Sequence, residues 1–230
     1  MDYSVIAQYF PKLLEGVGTT VELVLVSGLI GTLLAIPLGI ARHEKNIWIR
    51  ALPYAYIFFF RGTPLLVQIF LVYYGMAQFE AVRESALWPY LREPYWCAII
   101  AFSLNTAAYS AEILRGALDS IPKGEVEAAQ VLGMRKPLIY RRIKLPRAFA
   151  VMLPAYGNEI ILMLKGSALA STITLLDLTG MARTIIARTY TPIEIFLSAG
   201  VIYLLLSVVI IWVFRIVEKR LNPQQSVKIA

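Results

Sequence analysis

The side chains able to do chemistry in this sequence are a few polar groups set inside long apolar stretches. Arg61, Asn105 and Glu159 are the strongest of them, each in a separate stretch, with Thr63, Gln68, Asn158 and Ser167 close by in sequence. A carboxylate such as Glu159 accepts an ammonium or guanidinium group. Arg61, or the N–H groups of an interrupted helix, can receive a carboxylate. Asn105, Asn158, Thr63, Gln68 and Ser167 offer neutral hydrogen bonds. Together they form a donor set for a solute carrying both signs of charge, because a low-dielectric site must offset each sign or desolvation keeps the solute out. The alternative is structural: Arg61 and Glu159 pair with each other or with backbone carbonyls and touch no ligand. Tyr109 and Tyr156 either flank the path or simply pack between helices.

The elements that must position these groups are membrane helices. Of 230 residues, 58% are hydrophobic and 16% charged, where an ordinary soluble domain has about 45–50% and about 25%. That balance excludes disorder and a nucleic-acid-binding domain. Leu23–Ile40, Gly62–Phe79, Tyr95–Ala111 and Ile195–Phe214 carry no charge, and Ala148–Leu176 is interrupted only by Glu159 and Lys165. A membrane helix needs about 20 mostly apolar residues, so the pattern predicts five spans, near 19–41, 52–76, 95–114, 148–172 and 194–214. At about 1.5 Å per residue, Arg61, Asn105 and Glu159 each fall about 15 Å along their helices, near mid-bilayer. Gly62 with Pro64, and Gly166 with Ser167, mark expected helix breaks. Asn105, Tyr109 and Glu112 share one helix face.

Lys and Arg set the orientation. The 42–50 and 115–147 loops and the tail after Phe214 hold 15 basic residues, and the opposite side holds five. The richer side is expected to be cytoplasmic, with the N-terminus outside and the C-terminus inside. The net charge of +7 then reflects topology and carries no nucleic-acid signal. Residues 1–18 do not read as a cleaved signal peptide, so the first span is expected to remain as an anchor. Trp88, Tyr90, Tyr95 and Trp96 in and beside the external 77–94 loop suit a membrane interface.

Catalysis finds no support. A Gly-x-x-x-x-Gly-Lys-Ser/Thr phosphate loop is absent. One cysteine (Cys97) and one histidine (His43) leave no basis for a zinc site, a disulfide framework or a Ser/His/Asp triad. Asn105, Glu112 and Glu159 lack a nucleophile partner. The sequence predicts a conduit driven from elsewhere, with no catalytic residue and no metal.

The 115–147 loop is too polar to enter lipid. Pro122 fits a helix start, Gly124–Leu132 a helix, and Gly133 a left-handed stop. Val126, Ala129 and Leu132 fall on one stripe, which either docks a cytoplasmic partner or packs on the chain's own spans. Beside it, Glu127-Ala128-Ala129, Gly133 and Ile143-x-Leu145-Pro146 resemble, in order and spacing, the EAA loop of binding-protein-dependent ABC importers. Gly18-Thr19-Thr20, Arg61–Gln68, Leu104–Glu112, Leu153–Glu159 and Lys165-Gly166-Ser167 resemble more narrowly the permeases of polar amino-acid importers. Ile69–Gly75 and the external loop through Trp88 resemble the arginine and histidine importers in particular.

The resemblance implies an all-α integral membrane protein with five transmembrane helices of the type I ABC importer permease fold. Residues 1–230 would form one permease domain in the cytoplasmic (inner) membrane of a bacterium. Glu127, Ala128, Ala129, Gly133, Ile143, Leu145 and Pro146 would couple it to the ATPase. Implied partners are two ATPase subunits carrying ATP and Mg, a second permease subunit, related or identical, and an extracytoplasmic amino-acid-binding protein. This chain itself would hold no cofactor. The implied substrate is an amino acid, basic in the narrower resemblance: arginine, histidine, lysine or ornithine. Other readings are a permease for another polar amino acid, or a structural half that binds no substrate. An ion-driven carrier is disfavoured, since no second Arg-Gly-Thr-Pro-like segment marks a related half.

Overall fold

The computed structural model describes residues 3–221, and all the regular secondary structure among them is helical. Lys228, one of the basic residues assigned to the C-terminal tail, lies outside that range. In chain order the helices are α1 (Tyr3–His43), α2 (Ile47–Gly62), α3 (Leu65–Phe70), α4 (Glu80–Arg83), α5 (Trp88–Leu91) and α6 (Pro94–Asp119). They continue with α7 (Lys123–Val131), α8 (Lys136–Ile139), α9 (Leu145–Gly166), α10 (Leu178–Thr189) and α11 (Pro192–Leu221). Wider turns extend α3 through Gly75 and join α8 to α9, and tight turns carry α9 on to Ile173.

Four helices are long and apolar enough to cross a membrane, and α2 with α3 makes a fifth span if the bent pair is counted as one. The first span reaches well beyond residues 19–41, because nothing in residues 3–18 breaks a helix except Pro11, which α1 absorbs. The span expected over 52–76 is interrupted at the break expected from Gly62 and Pro64. The chain bends by 106° between α2 and α3. Thr63 (φ −113°, ψ 144°) and Pro64 (φ −62°, ψ 136°) are both extended at this corner. Proline supplies no N–H and disfavours the helical region at the preceding residue. The expected break at Gly166 and Ser167 is milder: both stay in the right-handed region, and the chain only tightens into the turns that follow.

α1 and α6 form the spine. A Cβ on Gly31 would lie 3.0 Å from the Ser103 carbonyl, and one on Gly39 would lie 3.0 Å from the Ala111 carbonyl. These two glycines therefore let the helix backbones approach closely, as small residues do between membrane helices. α6 answers with Ala101, Ala107, Ala108 and Ala111, all buried. The core beside this seam is Leu23, Cys97, Phe102, Met163, Leu164 and Ile173. α11 presents Leu204, Leu205, Val208 and Trp212 outward, as a helix in lipid would.

A second centre sits at the end holding α10, an element not anticipated from the sequence. Asp177, fully buried, accepts N–H bonds from Thr179 and Gly180 at 3.2 and 3.0 Å and caps α10. Tyr203 on α11 donates to the same carboxylate at 3.2 Å. Thr20, of the Gly-Thr-Thr block, accepts the Leu178 N–H at 3.0 Å and donates to the Gly16 carbonyl at 2.9 Å. The block thus pins α10 to α1.

Candidate functional site: an intramembrane cavity and a docking helix

Arg61, Thr63, Asn105 and Glu159 line one cavity of about 430 Å³ between α2, α6 and α9, with Tyr109 and Phe102 completing its wall. Glu159 is 6% exposed. Among the described residues it has no hydrogen bond and no ion pair within 4.0 Å, so its carboxylate is left to the cavity. Arg61 does not close on it. The Arg61 guanidinium lies over the Tyr109 ring, 5.2 Å from the centroid, a cation–π contact that holds the charge on the cavity wall.

The bend explains several of the other groups. Ending α2 abruptly leaves carbonyls without intrahelical donors, which inside a membrane costs several kcal/mol each. Gln68, 2% exposed, serves them. Its Nε2 donates to the Phe60 carbonyl at 2.8 Å, the Thr63 carbonyl at 3.1 Å and Thr63 Oγ1 at 2.8 Å. Thr63 Oγ1 donates in turn to the Phe59 carbonyl at 2.8 Å. Asn105 Nδ2 donates to Gln68 Oε1 at 2.9 Å, with a longer contact of 3.4 Å to the Phe60 carbonyl. The Asn105 Oδ1 atom has no hydrogen-bond partner among the described residues.

Of the seven residues expected around a solute, four meet and three do not. Gln68 is buried beneath the bend. Ser167 is fully buried and donates to the Leu164 carbonyl at 2.7 Å, closing a helical turn. Asn158 is exposed on the outer surface of α9, about 100° around the helix from Glu159. Tyr156, facing α1, bonds Thr32 at 2.5 Å and packs on Phe214, so it belongs to the helix packing. Phe102, Leu162 and Met163 on the cavity wall escaped notice, since apolar residues in apolar spans carry no signal of their own.

The loop helix α7 begins after Pro122 and closes with Gly133 at φ 76°, the left-handed conformation anticipated there. The Met134 N–H reaches the Ala129 carbonyl at 3.1 Å and the Gly133 N–H reaches that of Gln130 at 2.9 Å. That pair of bonds is the Schellman arrangement. The anticipated stripe splits: Ala129 is buried, Val126 is half-buried, and Leu132 is 81% exposed beside Val131 at 88%. Leu132, though exposed, still borders the groove that Ala129 lines. Ala128, Ala129, Ile143 and Pro146 line one shallow groove, with Leu145 half-buried behind them, while Glu127 faces a separate cavity.

Side chains tie this loop to the ends of α1 and α6. Lys136 Nζ donates to Glu44 Oε2 at 2.7 Å, and this bond holds the Glu44 carboxyl below its usual range. His43 bonds Asp119 at 2.9 Å through Nδ1 and accepts from Lys144 at 3.3 Å through Nε2. Arg147 pairs with Glu125 of α7.

Comparison with known proteins bears on this architecture. Residues 27–223 match the family model described as a binding-protein-dependent transport system inner membrane component. The octopine transport system permease of Rhizobium meliloti is 49% identical over 94% of this chain and 88% of its own length. The histidine/lysine/arginine/ornithine permease of Salmonella typhimurium is 42% identical over 94% and 95%. The arginine ABC transporter permease of Haemophilus influenzae is 40% identical over 93% of each chain. A crystal structure of an amino acid ABC transporter with histidines superposes at TM-score 0.84 with 31% identity, covering 96% of this chain and 99% of that one. An inward-facing methionine ABC transporter shares the fold at TM-score 0.80 with 18% identity, over 93% and 98% of the two chains. The chain belongs to the family of inner membrane components of binding-protein-dependent transport systems, the permease subunits of ATP-binding-cassette importers.

Proposed function

We propose that this permease subunit passes a basic amino acid, or a close cationic derivative of one, through the cavity between α2, α6 and α9. The observation that carries the reading is Glu159, a buried intramembrane carboxylate with no hydrogen-bond or ion-pair partner among the described residues, lining a cavity that Arg61 also lines. A buried ionisable group in a span is costly and marks function by default. Glu159 takes the cationic end of the substrate, Arg61 its carboxylate, and Asn105 Oδ1 an ammonium N–H. The named activities of the octopine and histidine/lysine/arginine/ornithine relatives support a substrate of that chemistry.

In the same reading, two ATPase subunits bind Mg and ATP and dock on α7. Ala128, Val131 and Leu132 form its outward surface and Gly133 sets its angle. A second permease subunit completes the pathway, and an extracytoplasmic binding protein delivers the substrate. The N-terminus lies outside and the C-terminus in the cytoplasm, so the α7 end is cytoplasmic and the α10 end external. The test is uptake by the complete importer in proteoliposomes supplied with binding protein and ATP. Arginine, lysine, histidine and ornithine should outcompete glutamine and glutamate. Preference for a neutral or acidic amino acid would overturn the basic assignment.

A further inference from the structure

A second cavity adjoins the one at Glu159. Arg61 and Gly62 line both, and beyond them about 260 Å³ opens between Arg42, Tyr54, Phe58 and Glu112. Glu112 follows Tyr109 by one turn and Asn105 by two on the same face of α6, so the acidic group lies about 10 Å further along the helix than Asn105. The partition between the cavities is Arg61, lying on the Tyr109 ring.

Glu112 is held in a particular way. Its Oε1 accepts from both Nε and Nη2 of Arg115, at 2.8 and 2.7 Å. Its Oε2 has no hydrogen-bond partner among the described residues, and the side chain is only partly exposed, at 22%. A guanidinium already occupies half of this carboxylate, so the geometry for a cationic ligand exists in the chain itself.

We propose that Glu112 is a second station for the cationic end of the substrate, on the cytoplasmic side of the Arg61–Tyr109 partition. This rests on the reading that a basic amino acid passes Glu159. A cation leaving Glu159 must pass Arg61 and then Arg42, both positive, in a region of low dielectric. Without a counter-charge that passage is opposed by repulsion as well as desolvation. Oε2 of Glu112 supplies the counter-charge. Arg115 then competes with the substrate for the same carboxylate and returns to it as the substrate departs. Sites on a conduction path must bind well enough to be entered and weakly enough to be left, and a resident competing guanidinium provides that balance.

The experiment uses the complete importer in proteoliposomes with saturating binding protein and ATP, reading arginine uptake and stimulated ATPase activity. Glu112→Gln removes the charge and should lower uptake about tenfold, the lower end for loss of a charge-assisted contact, with ATPase stimulation retained. Arg115→Gln leaves the carboxylate but removes the competing guanidinium and its second ion pair, to Asp119, and should lower uptake clearly less than Glu112→Gln. Glu112→Asp keeps the charge and should keep most of the uptake. Equal losses in Glu112→Gln and Arg115→Gln, failed assembly of either, or an Asp variant as slow as the Gln variant would make the pair structural and overturn the station. Wild-type uptake by Glu112→Gln would overturn it alone, whereas a wild-type importer that ignores arginine would overturn the basic-substrate reading beneath it.

Discussion

Asn105 on α6 donates its amide to Oε1 of Gln68 on α3 across 2.9 Å, and this bond decides which way Gln68 faces. With Oε1 occupied, Nε2 is aimed at the carbonyls freed by the bend. A residue chosen for substrate chemistry would not be buried and saturated in this way. Gln68 holds the corner that shapes the cavity, and Asn105 belongs partly to the corner and partly to the cavity.

Gln68→Leu should therefore destabilise the fold rather than impair a single transport step. The Phe60 and Thr63 carbonyls would lose their donor, at about 1–3 kcal/mol for each buried group left unsatisfied. Thermal unfolding of the detergent-solubilised complex should shift several degrees downward. An unshifted midpoint together with lost arginine uptake would place Gln68 among the ligand contacts.

Glu159→Gln keeps shape and hydrogen bonding and removes only charge. Losing a charge-assisted bond costs about 1.5–3 kcal/mol, so uptake of basic amino acids should fall by about 10- to 150-fold. Capture by the soluble binding protein should be unchanged. If Glu159 instead only neutralises Arg61, the single variant should assemble poorly and a second change, Arg61→Gln, should restore assembly. Wild-type uptake by the single variant would reject both roles.

Arg61, Asn105 and Glu159 were legible because a charge or amide stands out in an apolar run, and helical rise alone places the three at one depth. Gly62 and Pro64 showed where α2 would end. They did not show the angle, and without the angle the carbonyls that claim Thr63 and Gln68 are not yet in need of donors. Asn158 lies apart from the cavity because a residue next to Glu159 in sequence sits about 100° around the helix from it. α10 was overlooked because it is short and carries Arg183 and Arg188, although Asp177 followed three residues later by the Gly180 N–H that it caps is a helix-start signal. On α7, the position of Gly133 was legible, but the exposure of Leu132 was not.

At Gly133, φ of 76° suits glycine and penalises a β-branched side chain. Open space surrounds the position, so the penalty is conformational rather than a clash. Gly133→Val should leave the protein in the membrane and shift the end of α7, moving Val131 and Leu132 off the ATPase surface. Binding-protein-stimulated ATPase activity in reconstituted complexes should fall while the basal rate persists. Normal stimulation would show that the angle set at Gly133 is not transmitted.

The Glu44–Lys136 bond gives the loop a pH dependence of known sign. Because the bond lowers the Glu44 pKa from 4.5, its contribution is complete above that value and fades as pH falls through the lower folded value. Lys136 is largely exposed, so the effect is at most about 1 kcal/mol. It should appear as lower protection factors around α8, with exchange corrected for the intrinsic rate at each pH, as the solution is acidified, and be absent in Glu44→Gln. Equal acid sensitivity in that variant would assign the change to another group.

The bend between α2 and α3 makes topology a test of the fold as well as of orientation. A 106° turn is compatible with a broken span, which leaves by the far face, or with a re-entrant loop, which returns to the face it entered. The basic residues decide between them: three in 42–50 and eight in 115–147, against two in 77–94. Keeping both rich loops on one face requires α6 to cross once between 77–94 and 115–147, and α2 with α3 to cross once before it. Reporter fusions after Phe79 and after Asp177 should therefore read external, and fusions after Lys45, Glu125 and Lys219 cytoplasmic. A cytoplasmic signal after Phe79 would make α2–α3 re-entrant and remove one of the five spans. It would also set α6 in the opposite direction, so that Glu112 would no longer lie on the cytoplasmic side of Glu159.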